Sequence, residues 1–373
     1  MSGLGLAPWG WDERVAAAWS AVASAHRAGE RIPLPAPVVA EHRGAWDLET
    51  GEDVVRAIAS GAIRRAAATG GPAPAVGDWV VSHRADRIGP DMIVALVPRA
   101  TAFVRREPGR IAAGQIVAAN VDVVLLVTAV GRDANPRRLE RYLAVAWASG
   151  ATPVVVVNKA DLRDGLADAL RVTARVAAGA PVVAVSARTG EGLDRLADHL
   201  RPGATVALLG SSGVGKSSLV NALLGEERLD TRAVRVDDDR GRHTTTARML
   251  VRLPGGACLL DTPGMRELGM AGGEDGGGLD AAFADVVSLA ARCRFSDCAH
   301  EGEPACAVRA AIDGGTLAPD RLESHRQLAR EARTSSARLD ARSRAEERRE
   351  TRRRGVMYRE ILRAKYGENP RGR

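Results

Sequence analysis

Apolar and polar positions change their period twice along this chain. From Pro37 to about Arg106 they fall in short runs with turn residues between them: APVVAEHRGAWDL, DVVRAIASGAIRR, GDWVVSHRA, DMIVALVPR and TAFVRRE. Short strands at that spacing predict a small closed barrel, with an OB-fold as the leading arrangement and an SH3-like barrel compatible with the same pattern. From Ala118 unbroken apolar runs alternate with amphipathic ones. VDVVLLVTAV (121–130), PVVVV (153–157), APVVAVSA (180–187) and ATVALL (204–209) read as buried strands. Helices are predicted over 136–150, Leu162–Ala178 and Gly192–Leu200, and ARMLVRL (247–253) with GACLLD (256–261) reads as a strand pair. This βαβ alternation predicts a parallel, doubly wound sheet. Ahead of the barrel, WDERVAAAWSAVASAHRAG suits a short amphipathic helix of no assigned role. Beyond the Gly-rich AGGEDGGG the chain reads as helical, from Leu279–Ala291 into a long Arg/Glu-rich stretch.

The chemistry centres on Gly210-Ser211-Ser212-Gly213-Val214-Gly215-Lys216-Ser217-Ser218, which follows one predicted strand and opens a predicted helix. G-x-x-x-x-G-K-S in that context is a phosphate-cradling loop. Its glycines let backbone N–H groups close on phosphate oxygens, and the helix N-terminus adds positive field. Lys216 is placed to reach the β- and γ-phosphates and the Ser217 hydroxyl to ligate Mg²⁺. Of the 53 Lys plus Arg only Lys159, Lys216 and Lys365 are lysines, and two of those three fall in nucleotide motifs. There a compact ammonium on a flexible stem does what a planar guanidinium cannot.

Asn158-Lys159-Ala160-Asp161 reads N-K-x-D after an apolar strand. The Asp161 carboxylate can accept from guanine N1–H and N2–H₂, a donor pair that adenine lacks. Asn158 would tie this loop to the phosphate loop, and Lys159 would cover the base. A backbone N–H of Ser186-Ala187 is placed to donate to guanine O6, so the set selects GTP. Asp261-Thr262-Pro263-Gly264 reads D-x-x-G, with Asp261 holding Mg²⁺ and the Gly264 N–H facing the γ-phosphate. In GRHTTT (241–246) either Thr244 or Thr245 completes the Mg²⁺ shell. Met265 stands where Ras-like enzymes carry the glutamine that orients the attacking water, which predicts slow intrinsic hydrolysis and help from a partner. His243 is a candidate to position that water; its other reading is a loop residue bound to backbone. Since Asn158 and Ser186 precede Gly210, the sheet is predicted to be circularly permuted, which nearby domain termini permit.

Cys293-x4-Cys298-x-His300-x5-Cys306 offers three thiolates and an imidazole, enough to close a tetrahedron around one structural Zn²⁺. That use of cysteine, with Cys258 in an apolar strand, fits a reducing compartment better than disulfides do. No run approaches the ~18 apolar residues of a membrane span, and the N-terminus lacks the pattern of a secretory signal. The expectation is a cytoplasmic, monomeric enzyme without a membrane partner. The net charge of +7 is uneven: residues 321–373 carry 17 Lys/Arg against 8 Asp/Glu, leaving the rest near neutral. A basic tail on a neutral body suggests attachment to a polyanion such as nucleic acid, although a solvated, charge-laced helix has the same composition.

The permuted order, with GSSGVGKSS, GRHTTT, DTPG and the C-x4-C-x-H-x5-C cluster, resembles the bacterial ribosome small subunit-dependent GTPase A (RsgA) family over roughly residues 37–330. The resemblance implies a multidomain α/β protein: an N-terminal extension over 1–36, an OB-fold barrel over 37–110, a circularly permuted GTPase domain over 118–272 and a zinc-binding helical domain with a basic tail over 279–373. It also implies hydrolysis of GTP to GDP and phosphate, stimulated by the small (30S) ribosomal subunit and its rRNA during late maturation. Asn158 to Asp161 and Gly210 to Ser218 take the nucleotide-binding positions, and Cys293, Cys298, His300 and Cys306 the zinc positions. Three phenylalanines in the whole chain leave few stacking platforms, so arginine–phosphate contact would dominate RNA binding. A GTP-dependent RNA- or ribosome-binding regulator with incidental hydrolysis is the alternative, and Met265 is the feature that keeps it open. A small-molecule kinase is disfavoured by NKAD and DTPG.

Overall fold

The computed structural model describes residues 5–26, 32–85, 89–105, 115–131, 133–226, 248–261 and 277–334, with single helical positions at 337, 348 and 352. Helix α1 (Glu13–Ala23) begins where the Asp12 carboxylate accepts from the Val15 N–H. The first barrel strands are β1 (Leu34–His42), β2 (Ala45–Glu49) and β3 (Val54–Ala59). After α2 (Gly61–Ala68) come β4 (Trp79–His83) and β5 (Asp91–Leu96). The five strands close in the order β1-β2-β3-β5-β4-β1, with β3 and β5 parallel and the other pairs antiparallel. A Greek-key barrel of this order, with a helix between its third and fourth strands, is an OB-fold. Alternation divides its residues cleanly: Val38, Leu48, Val80 and Ile93 fill the interior with Ile63 of α2. Trp79 and Val81 face outward and pack against Val15 and Trp19 of α1. The Trp19 indole N–H donates to the Val80 carbonyl at 3.2 Å, and Trp11 meets both Trp19 and Trp79 edge-on. The tryptophan-bearing stretch of no assigned role therefore covers the barrel wall.

Two of the runs read as strands turn out differently. Ser60 is extended and its hydroxyl accepts from the Ile63 N–H, so DVVRAIASGAIRR ends in helix α2. TAFVRRE does not enter the barrel; β6 (Ala102–Arg105) pairs with β7 (Gln115–Ala119) in a separate ribbon. The barrel's fifth strand comes instead from APVVAEHRGAWDL, which folds back at Arg43-Gly44 to give β1 and β2. A period of two does not reveal where a run reverses when the turn itself is short.

The second half of the sheet comprises β8 (Val123–Ala129), β9 (Thr152–Asn158), β10 (Val182–Ala184), β11 (Thr205–Gly210), β12 (Met249–Arg252) and β13 (Cys258–Asp261). Their spatial order is β10-β9-β8-β11-β13-β12, parallel except for β12. Val124 and Leu126 face α3 (Pro136–Ser149) and α4 (Leu166–Val176), meeting Leu139, Leu143 and Val176. Val123, Leu125 and Val127 face α5 (Leu193–Ala197) and α6 (Lys216–Leu224), meeting Leu196, Leu219 and Leu224. Burial on both faces is why these strands read as unbroken apolar runs. The barrel joins this sheet edge to edge through Ala40 of β1 opposite Met249 of β12. At the junction the Glu41 N–H donates to the Arg248 carbonyl, and the Arg248 guanidinium pairs with the Glu41 carboxylate at 2.8 Å.

Helices α7 (Gly277–Ala282), α8 (Ala284–Ala290), α9 (Ala307–Asp313) and α10 (319–334) extend the core beyond α3, through Phe283, Val286, Val308 and Leu322. The α3–α7 approach is close enough that a Cβ on Gly278 would overlap Ala148 and the Ala144 carbonyl. Arg321 of α10, 5% exposed, pairs with Glu140 of α3 at 2.7 Å and with Asp285 of α8 at 2.9 Å. Its guanidinium also stacks over the Phe283 ring, 4.2 Å from the centroid. Burial works to lower the Arg321 pKa, but Asp285 and Glu140 outweigh it and hold the group above its ordinary value. Among the described residues no helix is long and apolar enough to cross a membrane.

Removing one partner of a buried ion pair strands the other's charge, at a cost of about 3–5 kcal/mol. Arg321→Ala should therefore lower the unfolding free energy by that order. The pair replacement Arg321→Met with Glu140→Leu should lose less. Denaturant titration of both variants checks this, and equal losses would show that the pairing is not what holds α10 to α3.

Candidate nucleotide site and metal centre

The chain runs outward from β8 through β9 and β10, then returns to lay β11 beside β8. In open α/β sheets a ligand crevice forms at such a switch point, outside the carboxyl ends of the strands. Gly210 ends β11 opposite Val127 of β8, and the loop of Ser211, Ser212, Gly213, Val214 and Gly215 leads into α6. Gly215 has φ +90°, and a Cβ there would overlap the Asn158 amide nitrogen, so the position requires glycine. Val214 is buried beneath the loop with Leu219 and Leu224. The Lys216 ammonium donates to the Gly210 carbonyl at 2.7 Å and to the Ser211 carbonyl. Ser217 and Ser218 follow Lys216 in the first turn of α6.

Asn158, buried at the end of β9, spans two loops. Its Nδ2 donates to the Val214 carbonyl at 2.9 Å, and its Oδ1 accepts from the Ala187 N–H at 3.1 Å. Lys159 has φ +63° and its ammonium lies 4.0 Å from the Asp133 carboxylate. The Ala160 N–H donates to the Val185 carbonyl, and the Ser186 N–H to the Glu191 carbonyl. Asp161 accepts from the Ser186 hydroxyl at 2.6 Å and from Arg188 Nε and Nη2 at 3.0 and 2.6 Å. Ser186 and then Arg188 hold its carboxyl below the ordinary aspartate range. Arg188 thus presents to Asp161 the kind of paired N–H donors that guanine carries on N1 and N2. Asp261 ends β13, whose Leu260 lies opposite Ala207 of β11. His243, Thr244, Thr245, Gly264 and Met265 lie outside the described residues.

The four metal-type side chains meet at the base of α8 and α9. One ligand atom from each of Cys293, Cys298, His300 and Cys306 lies within 4.8 Å of all the others. The measured edges are 3.9 Å for Cys293 Sγ to Cys306 Sγ, 3.7 Å for Cys293 Sγ to His300 Nδ1 and 3.5 Å for Cys306 Sγ to His300 Nδ1. A tetrahedron with Zn–S of about 2.3 Å and Zn–N of about 2.0 Å has edges of roughly 3.5–3.8 Å, so this donor set fits zinc. Burial and the nearby Arg326 charge lower the His300 pKa, favouring the neutral ring that ligates metal. The Glu303 carboxylate organises the intervening loop by accepting from the Gly302, Ala299 and Glu301 N–H groups, which hold its pKa down at about 2.

Two residues at the site escaped the motif reading, Arg188 and Arg138. The Arg138 guanidinium donates to the Ser211 hydroxyl of the phosphate loop. The only local signal for it is electrostatic: the first turn of α3 holds arginines and no acid, against the preference of a helix N-terminus.

A parallel sheet with a Gly-rich phosphate loop at its switch point, an N-K-x-D loop bonded to it and a Cys₃His knot beyond defines a circularly permuted P-loop GTPase with a metal-binding appendage. A sequence model described as RsgA GTPase matches residues 96–271. The small ribosomal subunit biogenesis GTPase RsgA of Streptomyces coelicolor is 45% identical over 369 residues, covering 97% of this chain and 96% of its own. That of Opitutus terrae is 48% identical over 343 residues, covering 90% and 92%. Among solved structures, YjeQ from Thermotoga maritima matches with a TM-score of 0.62 and 27% identity, over 81% of this chain and 99% of that one. YloQ, described as a circularly permuted GTPase, shares the fold with a TM-score of 0.59 and 21% identity, over 83% and 98%. The chain belongs to the RsgA GTPase family, and it is a GTP hydrolase.

Asn158→Ala leaves the Val214 carbonyl and the Ala187 N–H without their partner, a loss of about 1–3 kcal/mol for each buried polar group left unmade. GTP affinity should fall at least tenfold while the zinc content stays unchanged; isothermal titration alongside metal analysis checks both. At the metal centre, mass spectrometry of the native chain should find one zinc. Cys298→Ser or prolonged chelation should release it and unfold the 284–313 region, seen as lost amide-exchange protection there. A folded, metal-free protein would refute the site.

Proposed function

We propose that this protein is a GTP-driven switch acting on the small ribosomal subunit late in its maturation, cycling between GTP- and GDP-bound forms. The observation that carries the reading is the Asn158 bridge, which ties the base-selecting loop to the phosphate loop across the sheet's switch point. In this reading the loop amides from Ser211 to Ser218 take the phosphate oxygens and Lys216 neutralises the β- and γ-phosphates. Asp161 accepts from the guanine N1–H and N2–H₂ once Arg188 has moved aside. Ser186 orients Asp161, and Ala187 faces guanine O6. Lys159 and Ala160 shape the base-binding loop.

Ser217 lies in the first turn of α6, just beyond β11, and Asp261 ends the neighbouring strand β13; a hydroxyl and a carboxylate are the hard oxygen donors that Mg²⁺ takes. Ser217 and Asp261 would hold the ion, completed by Thr244 or Thr245, and it would supply charge neutralisation at the β- and γ-oxygens. Water attacks the γ-phosphorus in line as the bond to the β–γ bridging oxygen breaks, giving GDP and inorganic phosphate. His243 positions that water and Gly264 faces the γ-phosphate. With Met265 unable to orient water, docking on the subunit completes the site, and the barrel, the zinc-bearing helices and the basic tail grip rRNA through its phosphates. The relatives' name, small ribosomal subunit biogenesis GTPase, supports the choice of partner.

Phosphate turnover by the purified protein should be slow alone and rise on adding small ribosomal subunits, with the gain shrinking steeply as salt is raised. Lys216→Ala should abolish it. Tight GTP binding with no stimulation by the subunit would favour a regulator in which hydrolysis is incidental.

A further inference from the structure

Helix α3 carries one of its arginines onto the phosphate loop. Arg138, in the first turn of α3, donates to the Ser211 hydroxyl, while the Lys216 ammonium donates to the carbonyl of the same residue. Two cations therefore converge on Ser211, one at its hydroxyl and one at its carbonyl. Among the described residues Arg138 has no carboxylate partner. Its helix start contains Pro136, Arg137 and Arg138 and no acid. The positive end of the helix disfavours a guanidinium here, and a bound polyphosphate would relieve that. A local conflict met by a neutral hydroxyl in place of a carboxylate is where a functional residue is expected.

The position is also rigidly specified. β8, which leads into α3, lies directly beside β11, with Val127 opposite Gly210. The connection between β8 and α3 is short and pinned by the Thr128 hydroxyl on the Asp133 carbonyl and by Asn135, whose side chain accepts from the Arg138 N–H. One turn along, Glu140 is buried against Arg321, and Arg141 pairs with Glu331 at 2.8 Å. The helix that presents Arg138 to the loop is thus held from behind by α10.

We infer that Arg138 is a phosphate-contacting arginine supplied in cis. With GTP bound it leaves Ser211 for the terminal phosphate oxygens, and it stabilises the charge that builds on them as the bond to the γ-phosphorus breaks. A planar fork matches phosphate oxygens where a lysine offers only a point charge. The role differs from that of His243: Arg138 supplies charge and orients no water. The inference rests on the reading of Gly210 to Ser218 as the phosphate loop.

The test uses the full chain with and without small ribosomal subunits, comparing wild type with Arg138→Ala, Arg138→Gln and Arg138→Lys. Single-turnover GTP cleavage, GDP affinity, binding of GDP with aluminium fluoride and melting temperature are measured for each. Removing one well-placed transition-state donor lowers the rate by about 10²–10³. Arg138→Ala and Arg138→Gln should show a loss of that order and weakened aluminium fluoride binding, with GDP affinity and melting temperature close to wild type. Arg138→Lys should recover only a minor part. Wild-type cleavage rates in the variants would overturn the inference, as would a parallel fall in GDP affinity and melting temperature, which marks a structural residue. If wild type itself neither binds nor cleaves GTP, the phosphate-loop reading fails first and takes this one with it.

Discussion

An arginine inside a protein core must keep its charge and find carboxylates there, and the C-terminal half of this molecule is arranged around one that does. Arg321 reaches Glu140 on α3, Asp285 on α8 and the face of Phe283. These contacts satisfy the guanidinium and fasten α10 to both α3 and α8. A buried ion pair adds little net stability over an apolar substitute, but it penalises every alternative packing in which either charge is stranded. The attachment matters because α3 is shared. Its buried face belongs to the sheet core, its middle to the C-terminal helices and its first turn to the phosphate loop.

The permuted order of the chain gives that arrangement its consequence. In space the strands follow β10-β9-β8-β11-β13-β12, and the crevice forms where β8 and β11 meet. In sequence the N-K-x-D loop comes before the phosphate loop, and Asn158 bridges the two through side-chain hydrogen bonds. Beyond β13 the next described element is α7, which leads on to the metal knot. At the opposite edge β12 continues into barrel strand β1 through one backbone pairing and the Arg248–Glu41 ion pair. The GTPase sheet is therefore bounded on one side by the barrel, and the C-terminal helices with their Cys₃His cluster pack on α3, which covers one of its faces.

The metal knot and the nucleotide loops differ in how they reach their geometry. His300 and Ala305 sit in the left-handed region, and Glu303 collects three backbone N–H groups. A segment this short buries little apolar surface to hold such a conformation, and metal ligation by its Cys₃His set would supply the missing constraint. The phosphate loop instead takes its shape from Val214 buried beneath it and from the Asn158 amide against Gly215.

Much of the fold was legible along the chain because its signals are local. The unbroken apolar runs of β8, β9 and β11 mark strands buried on both faces. The order of N-K-x-D and G-x-x-x-x-G-K-S marks the permutation, and the spacing of Cys293, Cys298, His300 and Cys306 marks the metal knot. The barrel was less legible: the strand count was right only in sum, because the hairpin at Arg43-Gly44 and the helix after Ser60 are set by turn and cap bonds, not by periodicity. Contacts between residues far apart in the chain left no trace in either pattern. Nothing local distinguishes Arg188 and Arg321 from the other arginines of an arginine-rich chain, and Arg138 is marked only by the acid-free first turn of α3. Their partners Ser211, Asp161 and Glu140 are 73, 27 and 181 residues away in the sequence. The sequence by itself determined which loops carry the chemistry, since backbone-cradling and metal-ligating motifs are local in spacing. Only the tertiary structure decided which charges meet at those loops, because a guanidinium finds its partner through the packing of the helices that carry both.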